Sequence, residues 1–239
     1  MRGIILAGGK GSRLSPLTDV TNKHLLPVGK QPMIFHPIQK LTEAGITDIL
    51  IVTGVEHMGD IVELLGSGKR FNCKFTYKVQ DEAGGIAQAL GLAHDFVRGD
   101  KIVVILGDNI FEDNLIPFVQ KFEKQKSGAR IILKKVSDPN RYGVVDFDGD
   151  KIVGIEEKPE NPKSGFAVTG IYFYDSSVFD IVKTLKPSGR GELEISDVNS
   201  HFLKTGNLEH DIFSGWWTDA GTFESLAHAT MLVEGMIEI

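Results

Sequence analysis

The sequence predicts an α/β protein in which a mixed, mostly parallel sheet is flanked by helices. Strand and helix patterns alternate through the first half of the 239-residue chain, as they do in doubly wound sheets. The strand predicted over 101–106 contains, after Lys101, a continuous apolar run rich in β-branched side chains, which is typical of a strand buried inside a parallel sheet. Further on, Asp148-Gly149-Asp150 separates two strand patterns and predicts a β-hairpin.

The remaining elements are predicted from the same periodicities. The helix over 32–44 illustrates them, because a proline stands at its start and Ile34, Ile38 and Leu41 recur at helical spacing before Gly45. Strands are predicted over 3–7, 48–53, 73–79, 101–106, 130–136, 166–174 and 207–213, with the hairpin over 143–147 and 151–156. The other helices are predicted over 56–65, 86–96, 115–125, 177–185, 195–204 and 222–234.

Composition and charge exclude several classes of protein. Hydrophobic residues make up 41% of the chain and charged residues 24%, and the formal charge of −6 disfavours a nucleic-acid polymer as partner. The single cysteine, Cys73, rules out an intrachain disulfide and a cysteine-based metal site. No apolar run approaches the roughly 20 residues of a membrane span, and no secretory signal pattern is present, so we expect a cytoplasmic protein without a membrane partner.

A glycine-rich loop follows the first predicted strand. It reads Gly8-Gly9-Lys10-Gly11-Ser12-Arg13-Leu14, and Lys23 comes shortly after it. Glycines let an anion approach the backbone N–H groups closely, and the Arg13 guanidinium suits phosphate oxygens. Because the loop satisfies neither the Walker A nor the G-x-G-x-x-G pattern, it predicts a different kind of polyphosphate cradle. A plain glycine-rich turn is the alternative.

Two aspartates are candidate metal ligands. Asp108 directly follows the buried strand over 101–106, and ligands of open α/β sheets bind at the carboxyl ends of strands. A carboxylate there is suited to Mg²⁺, which also takes phosphate oxygens and waters. Asp219 stands just before the last predicted helix. The alternatives are a turn or cap for Asp108, a helix cap at Asp219 or Thr222, and a core role for the adjacent tryptophans.

Other polar residues stand in loops next to predicted strands and helices. Glu157 and Lys158 close the hairpin, and Arg190 lies in a loop between glycines. A carboxylate there could accept from sugar hydroxyls and the two cations could meet a phosphate, although solvated turns are the alternative. Gln80 precedes a loop ending at Gly85, and a side-chain amide suits the edge of a pyrimidine base. The histidines lack zinc-ligand spacing, and no serine stands in a G-x-S-x-G elbow.

Taken in order, these segments resemble the sugar-1-phosphate nucleotidyltransferases, and most closely their thymidylyltransferase branch. The resemblance covers nearly the whole chain and rests on the following motifs in sequence order: Leu6-Ala7-Gly8-Gly9-Lys10-Gly11-Ser12-Arg13-Leu14, Lys23-His24-Leu25-Leu26-Pro27-Val28, Lys30-Gln31-Pro32-Met33-Ile34, Leu106-Gly107-Asp108-Asn109, Arg141-Tyr142-Gly143-Val144-Val145, Glu156-Glu157-Lys158-Pro159, Ala167-Val168-Thr169-Gly170-Ile171-Tyr172-Phe173-Tyr174, Arg190-Gly191-Glu192-Leu193-Glu194-Ile195-Ser196-Asp197-Val198-Asn199, and the segment over 217–222. It implies the Rossmann-like nucleotide-diphospho-sugar transferase fold with a β-hairpin sugar-binding subregion.

The resemblance also implies a role for each matching residue. Gly8, Gly11, Ser12 and Arg13 would hold the triphosphate, and Lys23 would neutralise charge at the reacting phosphate, so that Arg13 and Lys23 are the catalytic cations. Asp108 and Asp219 would coordinate Mg²⁺, and Gln80 and Gly85 would read the thymine base. Gly143, Glu157, Val168 and Tyr172 would line the sugar pocket, with Lys158 and Arg190 on the sugar phosphate.

The implied reaction joins dTTP and glucose 1-phosphate to give dTDP-glucose and pyrophosphate, with Mg²⁺ as cofactor. UTP is the alternative donor, and a non-catalytic sugar-nucleotide-binding subunit is the alternative from another class. The resemblance further implies a homo-oligomer and a place in dTDP-sugar biosynthesis such as that of dTDP-rhamnose. We expect a single domain over 1–239, with 1–136 mainly binding nucleotide and 137–239 mainly binding sugar phosphate.

The sequence departs from the family pattern in two places. His24 stands where the family usually has glutamine, and a histidine there could still donate to phosphate, with a charge near neutral pH that the sequence leaves open. The sequence ends at Ile239, whereas longer members carry a further helical segment that contributes to a regulatory site and to subunit contacts. We therefore expect a short form without that segment, for which feedback control and a tetramer are not assumed.

Overall fold

The computed structural model describes residues 1–237, which form two compact units that interleave along the chain. The first unit contains residues 1–83, 105–117 and those from 215 onward, and the second contains residues 84–104 and 118–214. The division expected at residue 136 falls inside the second unit, so neither unit is one continuous half of the sequence. That residues 1–239 act as a single domain stays a prediction.

The strands and helices largely follow the predicted pattern. The strands are β1 (Arg2–Ala7), β2 (Pro27–Val28), β3 (Gln31–Pro32), β4 (Asp48–Gly54), β5 (Lys74–Gln80), β6 (Ile102–Leu106), β7 (Asn109–Phe111), β8 (Ala129–Lys135), β9 (Gly143–Asp148), β10 (Lys151–Glu157), β11 (Phe166–Tyr174), β12 (Leu208–Ile212) and β13 (Trp217–Asp219). The helices are α1 (Phe35–Glu43), α2 (Met58–Leu65), α3 (Ile86–Gly91), α4 (His94–Val97), α5 (Ile116–Lys124), α6 (Val178–Thr184), α7 (Ile195–Lys204) and α8 (Phe223–Val233).

The first unit is built on three parallel strands in the order β1-β4-β5. The central residues of β1 and β4 are fully buried because these strands are continuous runs of isoleucine, leucine and valine, as a sheet covered on both faces requires. The register pairs Ala7 with Thr53 and Gly54 with Gln80. Since all three strands run in the same direction, the residues after Ala7, Gly54 and Gln80 leave the sheet at the same edge.

Two short strand pairs in the first unit were missed by the sequence analysis. Strands β7 and β13 pair antiparallel, with Asp219 opposite Asn109, and β2 pairs with β3. Strands of two or three residues are too short to show a periodicity. A buried cluster containing Val28, Ile110 and Ala220 belongs to these pairs and fixes them in the first unit.

The second unit has a mixed strand arrangement that includes the predicted hairpin. Strands β9 and β10 pair antiparallel, which sets Gly143 opposite Glu157. Strand β11 is antiparallel to β8 and to β9, and β12 is parallel to β8. The pairing of β11 with β8 shifts between Val168 and Tyr172. The predicted class, a mixed and mostly parallel sheet flanked by helices, is confirmed.

Most predicted boundaries differ from those observed by one or two residues, and two predicted helices differ by more. The helix predicted from residue 32 begins at Phe35 because residues 31–32 pair in β3. The helix predicted over 86–96 is two helices, α3 and α4, and Gly91 is the last residue of the first. Helix α8 is capped by Thr222, whose side chain accepts from the backbone of Ser225 in a capping box, so the cap alternative for Asp219 is wrong.

None of the helices within residues 1–237 has the length and apolar character needed to cross a bilayer.

Candidate active site

The glycine-rich loop leaves the carboxyl end of β1 and packs against Lys23. Gly11 has φ 68°, a left-handed conformation, and a Cβ on it would lie 2.9 Å from both Cβ of Lys23 and Cγ2 of Thr18. The Thr18 hydroxyl donates to the Gly11 carbonyl at 2.9 Å. Ser12 then begins a 3-10 turn that contains Arg13 and ends at Leu14, whose side chain is fully buried. The buried leucine anchors the turn that carries Arg13.

Lys23 forms a tight ion pair with Asp108. Its Nζ lies 2.5 Å from Oδ2 of the carboxylate, and the two side chains are only 12% and 15% exposed. The Asn109 side chain donates to the other carboxylate oxygen at 2.9 Å. Burial alone would raise the pKa of Asp108, but the Lys23 ammonium and these hydrogen bonds outweigh it and hold that pKa well below its usual range. Asp108 is therefore a carboxylate with a fixed orientation.

The His24 side chain is buried in the core and is neutral near pH 7. Burial, and then the neighbouring Lys23, lower its pKa from 6.5 to about 3. Its Nδ1 is 2.7 Å from Oδ1 of Asn22, which also accepts the His24 backbone N–H at 2.9 Å. Since that oxygen only accepts, the neutral ring carries its proton on Nδ1. The expectation that His24 could donate to phosphate is corrected, because its donor is used inside the protein.

The His24 ring packs directly behind the backbone that leads to Asp108. A Cβ on Gly107 would lie 2.6 Å from Cδ2 and 3.0 Å from Nε2 of His24. The Gly107 N–H donates to the Leu6 carbonyl at 2.9 Å, which ties this backbone to β1. The glycine is thus required by close packing, and the ring sets the position of the turn between β6 and β7.

The β7–β13 pair brings Asp219 next to Asp108 and Arg13. The Ala220 N–H donates to the Asp108 carbonyl at 2.8 Å. A Cβ on Gly221 would lie 3.0 Å from Nη2 of Arg13 and 3.1 Å from Oδ2 of Asp219. Arg13, Asp108 and Asp219 are therefore neighbours at the end of this strand pair, although they are up to 206 positions apart in the chain.

The two aspartates provide a donor set that fits a Mg²⁺ ion shared with phosphate. Mg²⁺ is usually held by one or two carboxylates together with substrate phosphates and waters. Within residues 1–237 no group of three or more His, Cys, Asp or Glu side chains is placed to hold a metal by itself. A metal bound by Asp108 and Asp219 would thus need substrate oxygens to complete its coordination.

A cleft opens where the glycine loop meets the ends of β4 and β5 in the first unit. Its empty volume is about 540 Å³ with open solvent included, and Gly8, Gly54 and Gln80 are among its lining residues. Oε1 of Gln80 lies 2.6 Å from where a Cβ of Gly8 would stand, so the amide reaches the loop. At the rim Lys10 Nζ and Glu56 Oε1 are 3.4 Å apart, with both side chains about two-thirds exposed. The sequence analysis assigned no role to Glu56.

Gly85 belongs to the second unit and precedes α3. It has φ 98°, and a Cβ on it would lie 2.5 Å from the carbonyl oxygen of Leu193. The backbones are tied together, since Leu193 N–H donates to the Gly84 carbonyl at 2.8 Å and Ala87 N–H donates to the Leu193 carbonyl at 3.1 Å. No other residue type fits Gly85 without moving this backbone.

Three of the predicted sugar-pocket residues meet on the hairpin and β11. A Cβ on Gly143 would lie 3.4 Å from Oε2 of Glu157 and 3.8 Å from Cβ of Val168. Tyr172 is 3% exposed, and its ring stacks on Tyr174 at a centroid distance of 6.0 Å. The Tyr174 hydroxyl donates to Asn199 at 2.7 Å. The Tyr172 side chain therefore lies within the core packing of the second unit.

The two predicted phosphate-binding cations of the second unit are surrounded by carboxylates. Arg190 pairs with Glu194 at 2.8 Å, and its Nη2 lies 3.5 Å from Glu157 and 3.7 Å from Glu192. Lys158 Nζ lies 3.8 Å from the same Glu157. Arg190 and Glu194 are four positions apart, but they lie in the loop before α7 and not on one helix, so this spacing did not predict their pairing.

Relatives match the chain along nearly all of its length. A family model described as nucleotidyl transferase matches residues 2–235. The chain belongs to the nucleotidyl transferase family. It is 44% identical over 238 residues to the glucose-1-phosphate thymidylyltransferase of Neisseria meningitidis serogroup A, covering 98% of this chain and 83% of that protein. It is 45% identical over 237 residues to the enzyme of the same name from Mycolicibacterium smegmatis, covering 98% of this chain and 82% of the relative.

Solved structures give the same family fold. A Bacillus anthracis protein assigned as a glucose-1-phosphate thymidylyltransferase, crystallised with a sucrose, superposes with a TM-score of 0.95 at 60% identity, covering 100% of this chain and 97% of that one. A UDP-glucose pyrophosphorylase solved with UDP-glucose superposes with a TM-score of 0.86 at 23% identity, covering 99% of each chain, and this likeness shows the fold alone. The predicted nucleotide-diphospho-sugar transferase fold is confirmed.

Proposed function

We propose that this nucleotidyltransferase transfers a thymidylyl group from dTTP to glucose 1-phosphate, forming dTDP-glucose and pyrophosphate in a Mg²⁺-dependent reaction. The names of its relatives support the substrates. The observation that carries the proposal is the convergence of Arg13, Lys23, Asp108 and Asp219 in the first unit, since each has a task in phosphate chemistry.

The first unit would bind the donor nucleotide. Gly8, Gly11 and Ser12 offer loop backbone to the triphosphate, as glycine-rich anion sites do. Arg13 is planar and can hold phosphate oxygens at two points, whereas Lys23 acts as a point charge. Asp108 fixes the direction of the Lys23 ammonium at 2.5 Å, so the cation is in place before the substrate arrives.

No general base is required, because the nucleophile is an ionised phosphate oxygen. It attacks the α-phosphorus of dTTP, the new P–O bond forms, and pyrophosphate leaves with the electrons of the broken P–O bond. Arg13 and Lys23 face the charge that develops on the phosphates, and the rate gain comes from orientation and preorganised positive charge. Bound Mg²⁺, held by Asp108 and Asp219, would supply Lewis-acid polarisation of phosphate oxygens.

The second unit would bind glucose 1-phosphate. Glu157 is a carboxylate beside Gly143 and Val168, and it can accept hydrogen bonds from sugar hydroxyls. Lys158 and Arg190, which both approach Glu157 in this structure, would pair with the sugar phosphate in place of that carboxylate. Tyr172 would act from the core by shaping the wall of the pocket.

The nucleobase would be read by Gln80 of the first unit, and the family resemblance assigns Gly85 to the same base. The Gln80 amide carries both a donor and an acceptor, which matches the edge that thymine and uracil share. UTP is therefore the competing donor, and the 60% identity to the Bacillus anthracis protein supports dTTP. A comparison of kcat/KM for dTTP and UTP decides between them.

The test is a matrix of nucleoside triphosphates against sugar 1-phosphates with detection of pyrophosphate. We expect the highest kcat/KM with dTTP and glucose 1-phosphate, and loss of turnover in EDTA that added Mg²⁺ restores. A protein with intact secondary structure that releases no pyrophosphate from any pair would contradict the proposal and would favour a non-catalytic binding subunit.

The location, the pathway, the domain organisation and the oligomeric state belong to the same proposal. We place the enzyme in the cytoplasm and its product in dTDP-sugar biosynthesis such as that of dTDP-rhamnose. We also expect a homo-oligomer formed by the whole chain as one domain. Light scattering after size-exclusion chromatography measures the mass directly, and a monomer at micromolar concentration would contradict this expectation.

A further inference from the structure

The guanidinium of Arg190 is held by a carboxylate that does not cap its own helix. Nη2 and Nε of Arg190 donate to the two oxygens of Glu194 at 2.8 and 3.2 Å, which makes the pair bidentate. Glu194 stands at the N-cap position of α7, where a side chain commonly caps the helix, yet its own makes no cap hydrogen bond. The Glu194 carboxylate accepts hydrogen bonds from Arg190 in the preceding loop instead.

Ser188 fixes the same carboxylate from the other side. Its hydroxyl donates to Oε1 of Glu194 at 2.6 Å and accepts the Arg190 backbone N–H at 3.2 Å. The loop is closed by backbone hydrogen bonds of 2.8 Å from Ser188 to Glu192 and from Gly191 to Ser188. With 8% of its surface exposed, Glu194 is nearly buried, and the buried α7 residues Ile195 and Val198 anchor it. Both the carboxylate and the loop are therefore rigidly placed.

This arrangement leaves one edge of the guanidinium available. Arg190 has five N–H groups, and Glu194 takes the Nε group and one of the Nη2 groups. Glu157 and Glu192 lie near Nη2 at 3.5 and 3.7 Å, beyond ideal hydrogen-bond length. Within residues 1–237 no side chain or carbonyl accepts from the two N–H groups of Nη1. The Nη1 edge of the guanidinium, formed by one N–H of Nη1 and the remaining N–H of Nη2, carries two nearly parallel donors that suit a phosphate group.

We infer that Glu194 is a positioning residue, which orients Arg190 through the bidentate pair so that its Nη1 edge meets the phosphate of the sugar 1-phosphate. The inference rests on the proposed function. In the structure Glu157 stands where it attracts both Arg190 and Lys158, so it acts as a placeholder for the phosphate. When the sugar phosphate binds, its phosphate takes over these cations, and Glu157 becomes available to the sugar hydroxyls. Glu194 keeps the guanidinium in place throughout.

The decisive experiment compares Glu194→Gln with Glu192→Gln in the full-length enzyme. Both remove one carboxylate near Arg190, but only the first removes the bidentate pair, because Glu192 lies 3.7 Å away and is 42% exposed. We expect Glu194→Gln to raise KM for glucose 1-phosphate about 10-fold or more, the effect of losing a charge-assisted hydrogen bond, and to leave KM for dTTP within about twofold. The control should leave both KM values within about twofold.

Two further variants separate positioning from loop stability. Ser188→Ala should raise KM for glucose 1-phosphate alone, by a smaller factor, with an unchanged Tm. In an Arg190→Lys background, Glu194→Gln should add no further effect, because an ammonium cannot use the bidentate geometry. Equal rises in the KM of both substrates, equal effects of Glu192→Gln, or additive effects in the double variant would overturn the inference. An inactive wild-type enzyme would instead overturn the proposed function, and the inference with it.

Discussion

Replacing His24 with glutamine tests whether the histidine is a neutral core residue. Glutamine keeps a side-chain N–H that can donate to Asn22 and lacks a group that titrates near neutral pH. In the folded protein burial and Lys23 lower the pKa of His24 to about 3. In the unfolded chain the pKa returns to about 6.5, so between these values the unfolded state binds more protons.

The magnitude follows from these two pKa values. The stabilisation that depends on a neutral His24 is complete above pH 6.5 and is lost as the pH falls toward 3. At pH 5 the loss is about 2 kcal/mol of the free energy of unfolding, from 1.36 kcal/mol per pKa unit. Because His24 is 1% exposed, no discount for solvent screening applies. The Gln variant should therefore gain about 2 kcal/mol relative to wild type between pH 8 and pH 5.

Urea denaturation followed by circular dichroism at pH 8, 6 and 5 measures this difference. His36 and His210, whose pKa values burial also lowers, contribute to both proteins and cancel in the comparison. His201→Gln is the matched control, because that side chain is exposed on α7. A difference between wild type and His24→Gln that stays constant with pH would refute the reasoning, and would mean that His24 protonates freely in the folded state.

Further predictions concern the residues around His24. Asp219→Asn should lower kcat about 100-fold with an unchanged Tm, because Asp219 is partly exposed in the first unit. Asp108→Asn should lower kcat as well, and it should also lower the free energy of unfolding by about 3 kcal/mol, because Lys23 then keeps a nearly buried charge without its partner. Equal Tm values for the two variants, measured by calorimetry, would contradict this difference. Gly107→Ala should destabilise the protein by about 1–3 kcal/mol, since its Cβ would meet the His24 ring at 2.6 Å. The loss of stability caused by Gly107→Ala should be smaller in a His24→Ala background. If the effects of the two substitutions on the free energy of unfolding were strictly additive, the clash would not exist.

Much of the fold could be read from local patterns. The bounds of β11 and α7 are those predicted, because a long buried strand and an amphipathic helix each repeat their pattern over many residues. The β7–β13 pair could not be predicted, since three-residue strands have no periodicity and the partners are separated by more than 100 positions. That pair is also what brings Asp219 next to Asp108.

The candidate residues show the same division. The sequence identified Arg13 and Asp108 because their chemistry stands out near glycines after buried strands, and Lys23 because it is a cation in a motif shared with the family. It did not identify Glu194, which is one of several charged residues in its loop. The positioning role inferred for Glu194 rests on its contacts with Arg190 and Ser188.

The sequence by itself determined the α/β class, the phosphate-binding loop and the residue types that the chemistry requires, because these depend on periodicity and on motifs of adjacent residues. Only the tertiary structure decided the charge state, the partners and the orientation of the polar side chains. It made His24 a neutral support for Gly107, paired Lys23 with Asp108, and committed Glu194 to Arg190. Charge state and orientation depend on burial and on neighbours distant in the chain, and a local pattern contains neither.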